Sequence, residues 1–296
     1  MPTSIGLDGM VFYIWGLSMI KVAILDLYEG VANQGMRCIR ELVNQWGEHT
    51  GEAVSWDQFD VRLKAEVPDI TYDIFISSGG PGSPLDSEGS AWEAAYFSWL
   101  EEVLAWNSNV ANLRKKSVFF ICHSFQLVCR YWQLGEISKR KSTSFGVFPV
   151  HVLLEGQRDP LFKGLGDPFY VVDSRDWQMT KPNFKQLQQN GSQVLGIEKY
   201  RPHVPLDQAV MGIRFNEYMV GTQFHPEADA VGMRMYLQTE EKKKTVIENY
   251  GLEKWESMME GLSDPEKIMR TYSHILPNFL NGAAAKWAQH SNPVVA

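Results

Sequence analysis

A doubly wound α/β fold, with a mostly parallel central sheet flanked by helices and a helical C-terminal extension, is what this sequence predicts. Three observations carry the prediction. Short apolar runs rich in β-preferring residues alternate with amphipathic stretches over residues 21–132, the pattern of a parallel sheet covered on both faces. Glycine-rich or polar segments follow those runs, at the carboxyl ends of strands where such sheets bind ligands. From Asp229 onward the pattern turns helical.

Taken in order, residues 21–27 read as a strand buried on both faces and broken by Gly30. Residues 34–46 follow as a helix, with Met36, Ile39, Leu42, Val43 and Trp46 on one face. Residues 53–61 form a second strand, and Pro68-Asp69 turns the chain into a third at 74–76. That strand runs into Ser77-Ser78-Gly79-Gly80-Pro81-Gly82-Ser83-Pro84. Residues 92–106 predict an amphipathic helix with Phe97, Leu100, Val103 and Leu104 inward. The apolar run 118–121 is a fourth strand, and the breaker-free stretch 124–132 a helix. The second half reads as short strands at 147–154, 169–173, 194–200, 209–215 and 219–223, partly antiparallel because Phe215-Asn216-Glu217-Tyr218 is a tight connection. Helices follow at 229–249, 252–260 and 264–279. Ser263 and Glu266 make a capping box with Pro265 in the first turn, and Asn292-Pro293 belong to a loose tail. The expected organisation is an N-terminal extension over 1–20, a principal domain over 21–228 and the helical extension over 229–296.

At 296 residues the chain can bury a large core, and a hydrophobic content of 44% is ordinary for a soluble globular protein. A net charge of −7 and a pI near 5.6 speak against a nucleic-acid or anionic-membrane surface. The basic run Lys242-Lys243-Lys244, preceded by Glu240-Glu241, reads as a solvated helix face. Residues 10–20 are apolar but shorter than the roughly 20 residues a membrane span needs, and they lack the flanks of a secretory signal. Cys38, Cys122 and Cys129 leave an odd thiol and no metal-type spacing, which suits a reducing compartment. A cytoplasmic protein is expected. Cys38 and Cys129 fall in helices and read as core packing.

Three short segments carry the chemistry. Cys122 closes the strand at 118–121 and precedes the helix at 124–132, so it sits at a corner that lifts a side chain out of the sheet. A helix N-terminus there favours a thiolate. In Gly221-Thr222-Gln223-Phe224-His225-Pro226-Glu227, an extended chain aims His225 and Glu227 the same way, and Pro226 keeps His225 out of helix. A carboxylate beside an imidazole fixes its tautomer and stabilises the imidazolium, the third-member role of a triad. Backbone N–H groups of Gly79-Gly80-Pro81-Gly82 suit a developing oxyanion, and no Gly-Lys-Ser/Thr follows to make a phosphate loop.

Together and in this order, these segments resemble the class I glutamine amidotransferase family over about 21–227. The resemblance implies a flavodoxin-like sheet and release of ammonia from glutamine, or another small γ-glutamyl substrate, through a cysteinyl thioester. It implies Cys122 as nucleophile, His225 as base and acid, and Glu227 as its orienter. The N–H groups of Gly80 and His123 would form the oxyanion hole, with substrate contacts from Gly82, Gln126, Ser174 and Trp177. Ser174-Arg175-Asp176-Trp177 would be a substrate-contacting loop. No cofactor and no metal are implied. No nucleotide-binding synthetase sequence follows, so the expectation is a free-standing protein whose ammonia passes to a separate synthetase subunit or to water. The sequence departs from the family at the elbow, where Phe120 and Ser124 replace two glycines, and at Arg175, where many relatives carry histidine. These departures keep two alternatives open: hydrolysis of another γ-glutamyl amide or peptide, and a non-catalytic binding or regulatory module. Apolar positions of the C-terminal helices, such as Met258, Met259, Ile268, Met269, Tyr272, Ile275 and Leu276, suit packing against the main domain first and a homo-oligomer or partner surface second.

Overall fold

The computed structural model describes residues 3–7, 10–14, 19–31, 33–200, 203, 206–262, 264 and 267–291. Ahead of the expected first strand, β1 (Thr3–Leu7) and β2 (Met10–Ile14) pair as an antiparallel hairpin. Strand–helix alternation then follows the sequence pattern: β3 (Ile20–Asp26), α1 (Gly35–Thr50), β4 (Val54–Asp60), the single turn α2 (Val61–Lys64), β5 (Ile74–Ser77), α3 (Ala91–Ser108), β6 (Ser117–Ile121) and α4 (His123–Tyr131). After these come β7 (Glu136–Val152), α5 (Leu154–Arg158), β8 (Phe169–Thr180), α6 (Phe184–Gln189), β9 (Gln193–Glu198), β10 (Val210–Arg214) and β11 (Met219–Thr222). Four helices end the chain: α7 (Ala230–Gln238), α8 (Glu240–Tyr250), α9 (Leu252–Gly261) and α10 (Ile268–Ser291).

The main sheet has nine strands in the order β4-β3-β5-β6-β11-β10-β9-β7-β8. From β4 to β11 neighbours run parallel, and from β11 to β8 antiparallel. The inner parallel strands β3, β5, β6 and β11 feed both faces, which is why their sequences are mostly apolar, whereas the edge strand β4 is half-exposed and polar. Val22, Ile24, Ile76 and Phe119 pack on one side against α1 and α10. Ala23, Leu25, Phe75 and Phe120 pack on the other against α3 and α4. The inward side of α3 is turned slightly from the expected one: Tyr96 and Trp99 are fully buried, whereas Phe97 and Leu104 are half-buried.

Several sequence expectations need correction. The strand expected from 147 begins at Glu136, because the polar run 136–144 pairs with β8 across an irregularity between Lys139 and Ser144. Exposed on its outer side, it carries no apolar alternation to read. That run holds Lys139-Arg140-Lys141, a basic stretch besides Lys242–Lys244. Ser174-Arg175-Asp176-Trp177 is not a loop but the middle of β8. The helix expected over 229–249 is broken at Thr239 into α7 and α8. The last helix continues past Pro277 to Ser291 because Leu280, Ala283 and Trp287 keep finding core. Ser263, Pro265, Glu266, Asn292 and Pro293 lie outside the described residues.

The replaced elbow glycine has a local compensation. Phe120 pairs with Gly221 on β11. A β-carbon at Gly221 would stand 2.8 Å from the Phe120 carbonyl oxygen and 3.1 Å from the Phe125 ring. The space a family glycine would leave on β6 is thus supplied from the neighbouring strand. Gly221→Ala should therefore destabilise the fold by about 1–3 kcal/mol, seen as a lower urea midpoint; an unchanged midpoint would refute this account.

Candidate active site

Cys122 stands between β6 and α4 with φ 47 and ψ −95, left-handed backbone that a side chain rarely adopts. The strain is held from both ends: its N–H donates to the Thr222 carbonyl at 2.8 Å, and its carbonyl accepts the Gln126 N–H at 3.0 Å. Ser124, at the second replaced glycine, is fully buried and useful. Its hydroxyl accepts the Ile121 N–H at 2.8 Å and donates to the Ser77 carbonyl at 2.8 Å, stitching the corner to β5.

β11 runs parallel to β6, so the segment after it returns to the same end of the sheet. The His225 N–H donates to the Val172 carbonyl at 2.9 Å. The His225 Nδ1 pairs with Glu227 Oε1 at 2.8 Å, and the imidazole shares one cavity with the Cys122 side chain. Burial alone would lower the His225 pKa, but the Glu227 carboxylate and then the Cys122 sulfur overcome it and hold the imidazolium well above its usual range. Glu227 is 1% exposed, and its second oxygen has no partner among the described residues.

The glycine loop lies against this group. A β-carbon on Gly79 would approach His225 Cε1 to 2.8 Å, and one on Gly80 would strike the Leu27 carbonyl oxygen at 2.4 Å. His123 opens α4, so its N–H is among those a helix leaves without an internal partner. Its side chain is 1% exposed; burial, then the nearby Arg62 and Arg130, push its pKa down to about 3, leaving a neutral ring.

One cavity of about 500 Å³ gathers all nine residues singled out from the sequence: Cys122, His225, Glu227, Gly80, His123, Gly82, Gln126, Ser174 and Trp177. Their commitments differ. The Gln126 amide donates to the Trp177 carbonyl at 2.9 Å, tying α4 to β8. Strand alternation leaves Ser174 exposed and turns Arg175 inward, where Asp173 takes its Nε at 2.8 Å and Ser144 donates to Asp173 at 2.7 Å. The Arg175 charge is therefore balanced within the sheet. Among the described residues no cluster of His, Cys, Asp and Glu is arranged to hold a metal ion, and no helix is long and apolar enough to cross a membrane.

Sequence reasoning missed two contributors to this cavity. Tyr28 projects from the end of β3; a β-carbon on Gly35 would meet its hydroxyl at 2.7 Å and Glu227 Oε1 at 3.1 Å. Burial, then Glu227 and Cys122, raise its phenol pKa far enough to keep it neutral. Its position at a strand carboxyl end was the available signal. The second is a wall of Met233, Tyr236, Thr245 and Val246 from α7 and α8. Nothing in their helical spacing points toward a cavity.

The family model described as glutamine amidotransferase class-I matches residues 23–239. The chain belongs to the class I glutamine amidotransferase family. Among curated relatives, a glutamine-hydrolyzing GMP synthase from Thermosipho melanesiensis is 26% identical over 209 residues, covering 71% of this chain and 33% of that protein. The chain thus spans about a third of that relative's length. A solved glutamine amidotransferase from Thermotoga maritima superposes with a TM-score of 0.62 at 17% identity, covering 89% of this chain and 97% of that one. The glutaminase domain of Trypanosoma brucei CTPS, with bound acivicin, gives a TM-score of 0.54 at 13% identity, covering 90% and 94%. Both extend the amidotransferase fold over this chain.

Proposed function

We propose that the chain hydrolyses the side-chain amide of glutamine through a cysteinyl thioester. The observation that carries this reading is the convergence of Cys122, His225 and Glu227 on one cavity, with the imidazole paired to the carboxylate at 2.8 Å. The Cys122 thiolate attacks the carboxamide carbon. The carbonyl oxygen takes the negative charge and is met by the N–H groups of Gly80 and His123, each worth about 3–4 kcal/mol in the transition state. Collapse of the tetrahedral adduct breaks the C–N bond while His225 protonates the leaving nitrogen, so ammonia departs and a γ-glutamyl thioester remains. His225 then takes a proton from water, whose oxygen attacks the thioester carbon; glutamate leaves and the sulfur is restored. Gln126, Gly82, Ser174 and Trp177 border the space for the amino-acid end. Ammonia passes to a separate synthetase subunit or into solution, and three free thiols suit a reducing, cytoplasmic setting.

One observation favours a second substrate. The cavity is of drug-binding size and one wall is the apolar face of α7 and α8, whereas glutamine is small and zwitterionic. A γ-glutamyl amide of a larger amine would use that wall.

The test is to incubate purified protein with glutamine and with a γ-glutamyl dipeptide, and to expose it separately to an electrophilic glutamine analogue. Equal yields of glutamate and ammonia, with the analogue's mass added at Cys122, are expected. Faster turnover of the dipeptide would select the second substrate. No turnover of either, with Cys122 unlabelled, would leave a non-catalytic module.

A further inference from the structure

A glycine loop has a weakness as an oxyanion hole. Gly79 and Gly80 must be glycines, because β-carbons there would meet the His225 ring and the Leu27 carbonyl oxygen. Yet glycines on both sides of one peptide leave it free to turn over. A flipped Gly79–Gly80 peptide would aim a carbonyl oxygen, rather than the Gly80 N–H, at the negative charge.

Two side chains outside the recognised motifs hold the carbonyls that bracket Gly80. Ser78 is fully buried; its hydroxyl accepts the Leu27 N–H at 2.9 Å and donates to the Gly79 carbonyl at 2.8 Å. That carbonyl belongs to the same peptide as the Gly80 N–H. In a trans peptide the two point in opposite directions, so a bond drawing the oxygen toward β3 sends the N–H away from it, on the side where Gly80 borders the cavity. From the other flank, Arg62 Nη1 donates to the Pro81 carbonyl at 2.7 Å and more weakly to the Leu27 carbonyl at 3.4 Å. The guanidinium is itself fixed, by Glu29 at 2.8 Å and by the Trp92 ring at 5.4 Å. Its Nε and the His123 Nε2 are buried without partners among the described residues.

We infer that Ser78 and Arg62 are positioning residues that lock the Gly79–Gly80 peptide with its N–H toward the reacting carbonyl. This rests on the glutamine-hydrolysis reading above. Neither side chain touches substrate; both act through the peptide.

The experiment compares two reactions of Cys122 in Ser78→Ala, Arg62→Ala and Arg62→Lys. Glutamine hydrolysis passes through an oxyanion. Alkylation by iodoacetamide displaces iodide from carbon and does not, so it reports only the thiolate; Cys122→Ala gives the background from the other thiols. Ser78→Ala and Arg62→Ala are expected to lower kcat for glutamine by roughly 10- to 100-fold, with KM within about threefold and alkylation within about twofold of wild type. Arg62→Lys, which keeps a donor, should recover most of the loss. If Ser78→Ala does not fold, the two Arg62 variants, altered at a side chain on the loop's outer flank, decide. An unchanged kcat, or a fall in kcat matched by alkylation, overturns the lock and leaves the hydrolysis reading standing. Absence of turnover in the wild type removes both.

Discussion

Cys122→Ala is expected to cut ammonia release from glutamine by roughly 10⁴-fold or more, the largest effect any single change should have. Without sulfur there is no thioester, and the remaining N–H donors can only polarise an amide that water must attack directly. The same position carries a stability cost separable from chemistry. Non-glycine residues in left-handed backbone store about 1 kcal/mol or more, and Cys122 has φ 47. Alanine keeps the β-carbon and hence the strain; glycine relieves it. Cys122→Gly should therefore melt above Cys122→Ala by roughly 2–4 °C, though both are inactive. Calorimetry on the pair checks this. Equal melting points would mean that the corner is held by its two backbone hydrogen bonds without strain, and residual ammonia release near the wild-type rate would remove the sulfur from the mechanism.

How much could be read beforehand depended on whether a residue's partners were local. The parallel strands were legible because burial on both faces leaves an unbroken apolar signature, as in β3 and β6. The convergence of Cys122, His225 and Glu227 on one cavity was legible because each sits near a strand end whose position that signature fixes. The first half of β7 was not, since its register comes from pairing with β8 and its outer residues face solvent. Arg175 falls in a stretch whose sequence suggests a loop, but alternation along β8 turns it onto Asp173, two residues away and on the same side. Ser78 stands in plain view beside the glycines. Its use appears only when Leu27, 51 residues distant in the chain, is brought to its hydroxyl. The wall from α7 and α8 is the extreme case: Phe145, Val172, Leu237 and Val246 join Met258, Leu262 and Ile268 in a cluster drawn from two strands and the C-terminal helices.

Glu227→Gln is expected to lower kcat at neutral pH by about 10²–10⁴-fold and to change the shape of the pH profile. In the wild type, burial works to discharge the His225 imidazolium, and the Glu227 carboxylate is the leading force against it. Glutamine matches the shape but removes the charge, so burial prevails and the ring loses its proton at lower pH. The proton that departing ammonia needs is then missing at pH 7, and the alkaline limb of activity should move to lower pH. Acidification should recover part of the lost rate. Stability follows the same sign. A histidine whose folded pKa is raised contributes stabilisation that is complete below its ordinary 6.5 and is lost as pH rises through the folded value. The variant's deficit in unfolding free energy should accordingly be greatest on the acidic side of pH 6.5 and shrink as pH rises. Denaturant titrations across pH, beside kcat profiles of both proteins, measure the two effects independently. A variant with an unshifted alkaline limb would show that Glu227 orients the ring without setting its charge.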